Sequence, residues 1–213
     1  MKVVAATSNP AKIAEFQRLI GALAIVDAVP PDVQLIAPDE QGSAFEAIAS
    51  DKAVSLSRQL QAADRSSLTI ASDGGLLIPG LGVSWEPTRT RRFAGDAASD
   101  RDRAELLLKL ADSLDGSERE IWWREAVAIA NHGRLVGVWS AESEPGMLAS
   151  SVDGTLTDRQ PGFWIPAIWL VPGFGNRPLA SLAAAERQSI DDHWHKLQDP
   201  VQGALASISK LTM

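Results

Sequence analysis

The first candidate site lies near the N-terminus, where hydroxyl, amide and ammonium groups follow a short apolar run. Residues 3–6 are apolar and long enough for a buried strand. The triplet Thr7-Ser8-Asn9 follows, Pro10 suits the first turn of a helix, and Lys12 stands three residues after Asn9. Backbone N–H groups at such a helix start, with the hydroxyls and the lysine, predict an anion site. The alternative is an ordinary strand-to-helix turn capped by Ser or Asn.

A second candidate site follows another apolar run. Residues 66–71 predict a buried strand that ends in Ser72-Asp73-Gly74-Gly75-Leu76. An acid and two glycines just past a strand let the backbone approach a ligand closely. The densest basic run, Thr88 to Gly95, is the third candidate. Its arginines indicate either phosphate contacts or a solvated turn.

Composition narrows the class of protein. The chain has 213 residues, of which 45% are apolar, so it is long enough for one large α/β domain or two small ones. No apolar run approaches the roughly 20 residues of a membrane helix. Cysteine is absent, the three histidines form no cluster suited to zinc, and the formal charge of −7 argues against a general nucleic-acid surface. We expect a soluble cytoplasmic protein without a signal peptide, and with no membrane or nucleic-acid partner.

The hydrophobic pattern predicts the elements that position these sites. Strands alternate with helices in the first half of the chain, and a β-hairpin follows, which predicts an α/β fold with a mixed sheet and helices packed on it. No Gly- or Ser-rich linker divides the chain, so residues 1–213 are expected to form a single domain. Four helices are predicted. The first starts at Pro10, the second covers residues 44–61 with Gly42-Ser43 as its cap, and the third covers residues 99–111. The fourth covers residues 179–187 and continues or restarts over residues 190–197. The predicted strands are 3–6, 24–29 with an extension over 33–36, 66–71, 120–130, 135–141 and 152–156.

Six segments, in order, resemble the inosine triphosphate pyrophosphatase family, whose members hydrolyse non-standard purine nucleoside triphosphates to monophosphate and pyrophosphate. The first four are Thr7-Ser8-Asn9-Pro10-Ala11-Lys12 with Glu15-Phe16 for T-x-N-x-x-K…E-F, Phe45 to Ala53 for F-x-E-N-A-x-x-K-A, Ala71 to Leu76 for A-D-D-S-G-L, and Arg92-Phe93-Ala94-Gly95 for R-[YF]-[AS]-G. The last two are Gly162-Phe163-Trp164-Ile165-Pro166, similar to G-F-G-Y-D-P with one residue missing, and Ala180 to His193 in place of A-E-L…K-N…S-H-R. The resemblance implies a two-lobed α/β fold with a central cleft, and a homodimer.

The sequence departs from the family pattern at positions that bind metal and read the base. The family's metal-binding glutamate falls on Ala47, the first aspartate of its pair on Ser72, and its base-contacting aspartate on Ile165. Its late lysine falls on Arg187, and its serine-histidine-arginine triplet reads Asp191-Asp192-His193. Loss of a polar contact at Ile165 predicts a changed base preference, or none.

The resemblance implies a largely retained phosphate end. The implied catalytic residues are Asp73 and Lys12. The implied substrate-binding residues are Thr7, Ser8, Asn9, Lys52, Ser72, Gly74, Arg92, Phe163, Trp164, Arg187 and His193. Magnesium, if bound, is expected on Asp73 with Asp51 and Glu46, the acids that flank the lost glutamate; the alternative is that these two acids face solvent. Phe163 and Trp164 are expected either to stack on a base or to pack in the core.

These features predict a divergent, magnesium-dependent nucleoside triphosphate pyrophosphohydrolase acting on a non-standard purine or modified nucleotide. Two alternatives remain. One is a nucleotide-binding protein of the same fold that has lost catalysis, which the residues at 47 and 72 favour. The other is an enzyme with a changed reaction on a phosphorylated small molecule.

Overall fold

The computed structural model describes residues 1–36, 44–157, 162–190 and 192–211. The chain forms two compact units. The first unit comprises Met1–Gly74, Arg124–Glu142 and Asp192–Met213, and the second comprises Gly75–Trp123 and Ser143–Asp191.

The described residues form an α/β fold with a mixed sheet flanked by helices, as the sequence predicts. The strands are β1 (Lys2–Ala5), β2 (Ile25–Asp27), β3 (Thr69–Leu77), β4 (Glu120–Asn131), β5 (Arg134–Glu142), β6 (Gly146–Leu148), β7 (Trp169–Val171) and β8 (Arg177–Pro178). The α-helices are α1 (Pro10–Ile20), α2 (Phe45–Ala62), α3 (Asp100–Leu110), α4 (Gly154–Thr157), α5 (Ile165–Ile168), α6 (Ala184–Gln188) and α7 (His193–Leu211). No helix within these described ranges is long and apolar enough to cross a bilayer.

In the first unit the strand order is β2-β1-β3-β4, and β5 also pairs with β4. Strand β1 runs parallel to both neighbours, and Ala5 pairs with Ile70 of β3. Strands β4 and β5 form the predicted antiparallel hairpin, from Arg124 opposite Glu142 to Asn131 opposite Arg134. Because β1 ends at Ala5 whereas β3 continues to Leu77, the later part of β3 lies beyond the carboxyl end of β1.

Helices cover both faces of this sheet. On one face, α1 and α7 pack against alternate residues of β1, β3 and β4. The core there includes Val3, Ile70 and Val127 from the strands, and Phe16 and Leu205 from the helices. On the opposite face α2 lies against β3, where the hydroxyl of Thr69 donates to the carbonyl oxygen of Ala53 at 2.8 Å. Since successive strand residues point to opposite faces, neighbours on β3 meet different helices.

The second unit has its own sheet segment and core. Strand β6 pairs antiparallel with the start of β4 and with β7, and β7 pairs with β8. Helix α3 begins with a capping box between Ser99 and Asp102. Aromatic rings fill part of the core, with Phe93 lying 5.0 Å from Trp85 and 5.9 Å from Trp164 between ring centroids.

Three sequence expectations differ from the structure. Strand β3 was expected to stop before Ser72, but it runs on through Asp73 and Gly74 to Leu77, because β4 supplies a further partner for it. Residues 152–156 form helix α4 and its lead-in, since the Asp153 carboxylate accepts from the Thr155 backbone N–H at 2.9 Å and starts a turn. Residues 33–36 do not extend β2.

The C-terminal third also differs in detail. The helix expected over 179–187 is interrupted, with a 3₁₀ turn at Leu179–Ser181 before α6. Helix α7 extends well past residue 197, to Leu211. The expected cap Gly42-Ser43, the loop residues Gln160-Pro161 and Asp191 lie outside the described residues.

Candidate functional site

The loop between β1 and α1 organises the start of the helix. The side-chain oxygen of Asn9 accepts from the backbone N–H of Ala11 at 2.9 Å, and the Thr7 hydroxyl accepts from the backbone N–H of Asn9 at 3.1 Å. Pro10 occupies the first turn, as expected. Asn9 is therefore the helix cap, and it and Ser8 remain exposed at the end of the helix where backbone N–H groups accumulate partial positive charge.

Lys12, in the first turn of α1, joins this helix to β3 and β4. Its Nζ donates to the Ser72 hydroxyl at 3.1 Å and lies 3.2 Å from Oε1 of Glu125. The lysine side chain is 28% exposed, whereas that of Glu125 is 2% exposed. The ammonium group thus meets solvent on one side and a buried carboxylate on the other.

A second lysine-carboxylate pair lies on the other face of the sheet. Lys52 of α2 places its Nζ 2.5 Å from Oδ1 of Asp73. Ser72 and Asp73 are successive residues of β3, so they point to opposite faces and receive lysines from different helices. The two residues that sequence similarity marks as catalytic, Lys12 and Asp73, are therefore joined through the backbone of β3 and through Ser72.

Burial raises the pKa of Asp73, and this effect outweighs the nearby cations. The Lys52 ammonium opposes the rise by its charge and its hydrogen bond, and the charge of Lys12 opposes it further. The carboxylate of Glu125 adds to the rise by repulsion. An Asp73 carboxylate whose protonated form is favoured in this way is a better proton acceptor than an aspartate in water.

Glu125 is the main site residue that sequence reasoning missed. It is 1% exposed and stands immediately before the apolar residues 126–130 of β4. An acid directly before a run of five apolar residues within a strand is the signal that could have identified it, because an ionised side chain is almost never buried without a partner. Lys12 is one such partner here.

Gly74 has a structural reason to be glycine. A Cβ at this position would lie 2.1 Å from Oε2 of Glu125 and 2.7 Å from the carbonyl oxygen of Arg124. The space that a side chain would need is therefore taken by the neighbouring strand. Substrate contact by Gly74 stays a prediction.

His193 begins α7 in the first unit. Burial of its ring lowers its pKa, and the charges of Glu125 and Asp192 only partly oppose this effect. Its ring centroid lies 5.4 Å from that of Trp194. The imidazole is therefore held toward its neutral form, in which one ring nitrogen accepts a hydrogen bond.

The structure does not gather the three acids proposed to hold magnesium. Glu46 lies 2.5 Å from the guanidinium of Arg124, and Asp51 is exposed on α2. Burial alone would raise the pKa of Glu46, but hydrogen bonds from Ser140, its own backbone and Arg124 lower it. Over the described ranges, no three His, Asp or Glu side chains come together as a metal site. Metal binding by these acids stays a prediction.

The remaining predicted residues belong to the second unit. Arg92 and Arg187 are exposed, Phe163 is half-buried, and Trp164 is 3% exposed. Trp164 packs in the core of that unit against Phe93, which corresponds to the core alternative considered for this residue. Contacts of all four residues with a substrate stay predictions.

Comparisons with known proteins agree with the motifs. The sequence profile of the Ham1 family matches residues 3–197. The dITP/XTP pyrophosphatase of Methylococcus capsulatus is 30% identical over 223 residues, covering 99% of this chain and 96% of the relative. The dITP/XTP pyrophosphatase of Shouchella clausii is 27% identical over 192 residues, covering 89% of each chain.

The fold, like the sequence, is similar to that of a known protein. The structure of a HAM1 protein from Coxiella burnetii superposes with a TM-score of 0.75 at 24% identity, covering 97% of this chain and 99% of the other. The chain therefore belongs to the Ham1 family, the inosine triphosphate pyrophosphatase family that its motifs resemble.

Proposed function

We propose that this protein is a nucleoside triphosphate pyrophosphohydrolase that cleaves a non-standard purine or modified nucleotide to the monophosphate and pyrophosphate. The observation that carries the proposal is the Lys52–Asp73 pair at 2.5 Å, directly after Ser72, whose hydroxyl accepts from Lys12 at 3.1 Å. It supplies cations for phosphate oxygens and a buried carboxylate with a raised pKa. The names of the relatives, dITP/XTP pyrophosphatase, support the same reaction.

In the proposed reaction Asp73 acts as the general base. Its carboxylate accepts a proton from a water molecule, and the water oxygen forms a bond with the α-phosphorus. The bond between the α-phosphorus and the oxygen that bridges to the β-phosphorus breaks, and its electron pair leaves with pyrophosphate. The products are the nucleoside monophosphate and pyrophosphate.

Lys12 and Lys52 act by charge in this proposal. A phosphoryl transition state spreads negative charge over its oxygens, and positioned cations stabilise it. Lys12 is also held beside the exposed start of α1, where backbone N–H groups favour an anion. Lys52 would in addition keep Asp73 in one orientation.

Magnesium enters the proposal only through the family. Since the described residues do not gather a ligand set, no step is assigned to the ion. A single homodimeric domain and a cytoplasmic location are likewise proposals; support for one domain comes from the family profile, which spans both units.

The second candidate is a nucleotide-binding protein that has lost catalysis. It is favoured by Ala47 and Ser72, which replace carboxylates of the family pattern, and by the engagement of Glu46 with Arg124. An enzyme with a changed reaction on a phosphorylated small molecule would differ from both in its products.

The deciding experiment measures pyrophosphate release from ITP, dITP, XTP and the standard nucleoside triphosphates, with and without magnesium, and identifies the products by mass. We expect release from at least one non-standard nucleotide, and its loss in Asp73→Asn. A matched control is Asp27→Asn, which removes an aspartate paired with Lys2 at 3.1 Å on the surface. Binding without release from any nucleotide would select the second candidate, and products other than monophosphate and pyrophosphate would select the third.

A further inference from the structure

Glu125 carries a buried charge that has no role in the reaction proposed above. Its side chain is 2% exposed, and it lies on the face of the sheet that carries α1 and α7. Lys12 reaches it from the more open side, with 3.2 Å between Nζ and Oε1. The lysine that is proposed to hold phosphate is thus already paired with a carboxylate of the protein.

The carboxylate has a fixed place. Its Oε2 occupies the position that a Cβ of residue 74 would crowd, at 2.1 Å, so the glycine there leaves room for it. The Lys12 ammonium is also held by the Ser72 hydroxyl at 3.1 Å. When a phosphate group reaches Lys12, the ammonium group is therefore still paired with the Glu125 carboxylate.

We propose that Glu125 weakens the binding of phosphate groups at this site, so that inorganic pyrophosphate is released readily. The role in product release rests on the proposed function, whereas the effect on phosphate affinity does not. The carboxylate neutralises Lys12, and in a partly buried site the attraction of a neutralised cation for an anion is much smaller than that of a free one.

Weaker binding is useful in an enzyme that must release an anion. Interactions of equal strength with substrate, transition state and product do not raise the rate of the chemical step, and tight product binding slows turnover. Among the described residues, Asp73 and His193 each feel the charges of both Lys12 and Glu125. Lys52 also acts on Asp73, and Asp192 and Arg18 also act on His193. Glu125 is the one among these acids that touches Lys12 at hydrogen-bond distance.

The test uses inorganic pyrophosphate as the probe and the full chain as the sample. Its dissociation constant is measured by calorimetry, in the presence of EDTA, for the wild type and Glu125→Gln. Glutamine keeps the shape and removes the charge. We expect Glu125→Gln to bind pyrophosphate about tenfold more tightly, the effect of one unit of charge at short range in a partly screened site. Wild-type affinity or weaker binding in this variant would overturn the proposal.

A matched control separates the local effect from net charge. Glu15→Gln removes a carboxylate from the same helix as Lys12, at a side chain that is 37% exposed and paired with Arg18. We expect its affinity to remain within about twofold of the wild type because solvent screens surface charges. Equal tightening in both variants would show a general charge effect and contradict the role of Glu125.

Two further variants test whether pyrophosphate binding depends on the Lys12 ammonium group and on the negative charge at position 125. Lys12→Met is expected to lose pyrophosphate binding, and Glu125→Asp to stay closer to the wild type than Glu125→Gln does. A gain of affinity cannot come from a misfolded site, so tightening excludes a merely structural role. If neither the wild type nor Glu125→Gln binds pyrophosphate, the proposal fails. Because turnover is not involved, loss of the proposed hydrolysis would leave a tenfold tightening intact.

Discussion

The Nζ of Lys12 lies 3.2 Å from Oε1 of Glu125, and it links the first turns of α1 to a carboxylate that is almost fully withdrawn from water. Burying two opposite charges costs desolvation energy that their attraction repays only when both are present. Removing one member therefore leaves the other buried and uncompensated. The Lys12–Glu125 pair therefore affects the free energy of unfolding as well as anion binding.

Lys12→Met tests how much the Lys12–Glu125 pair contributes to the free energy of unfolding. We expect the free energy of unfolding to fall by about 3–5 kcal/mol, the usual cost of breaking a buried pair from one side. The double variant Lys12→Met with Glu125→Gln should recover most of the loss, since neither position of the pair then carries a charge. Urea unfolding at pH 7 measures both. Additive losses in the double variant would mean that the two side chains do not depend on each other.

Gly74→Ala should destabilise the protein by about 1–3 kcal/mol, as overpacking of a well-packed site does. The added methyl group would meet Oε2 of Glu125 at 2.1 Å and the Arg124 carbonyl oxygen at 2.7 Å. The matched control is Gly203→Ala in α7, where nothing lies within 4 Å of the new atom. That change should stabilise the helix by about 0.5–1 kcal/mol. Equal thermal shifts for both alanine variants would refute the packing argument.

His193 predicts an acid-side loss of stability. Burial lowers its pKa from the ordinary value of 6.5, so below that value the unfolded chain binds a proton that the folded chain resists. The contribution of His193 is therefore complete above about pH 6.5 and is lost as the pH falls toward its folded pKa.

The measurement is the urea midpoint at several pH values between about 7.5 and 5 for the wild type and His193→Gln. We expect the decline toward low pH to be shallower in His193→Gln, which cannot take up the proton. His195→Gln, at an exposed position two residues later in α7, is the control and should keep the wild-type decline. Identical slopes in all three proteins would contradict the assignment.

Asp73→Asn should separate activity from stability. The pKa of Asp73 is raised, mainly by burial, so ionising it favours the unfolded chain, and its contribution to stability is lost as the pH rises from its ordinary value of 3.8 through its folded pKa. At pH 7 the neutral asparagine removes this penalty. We expect an unchanged or higher free energy of unfolding together with loss of pyrophosphate release. A clear drop in stability would show that the attraction of Lys52 exceeds the cost of burial.

Much of the local structure could be predicted from the sequence. The apolar run before Thr7, the cap at Asn9 and Pro10 in the first turn predict β1 and α1, and the structure has both. The hairpin of β4 and β5 followed from two strand-like runs separated by the turn Asn131-His132-Gly133. These features depend on neighbours within a few residues, which is the range that periodicity and capping report.

The end of β3 could not be predicted in this way. Asp73 and Gly74 have low strand propensity, and the strand is expected from the sequence to end before Ser72. The strand continues because β4 pairs with it, and a pairing partner some 50 residues later in the chain leaves no local signal. The partners of Glu46 were missed for the same reason, since Arg124 is distant in sequence.

The sequence by itself determined the family, the class of fold and the presence of lysines and an aspartate suited to phosphate chemistry. Only the tertiary structure decided how these charges are paired: Lys52 with Asp73 on one face of β3, and Lys12 with Glu125 on the other. The reason is that a charge pair forms through the alignment of strands and the packing of helices on them, and burial then sets its strength. The type of a residue determines whether it carries a charge. The fold determines which group that charge pairs with and how far it is exposed to solvent.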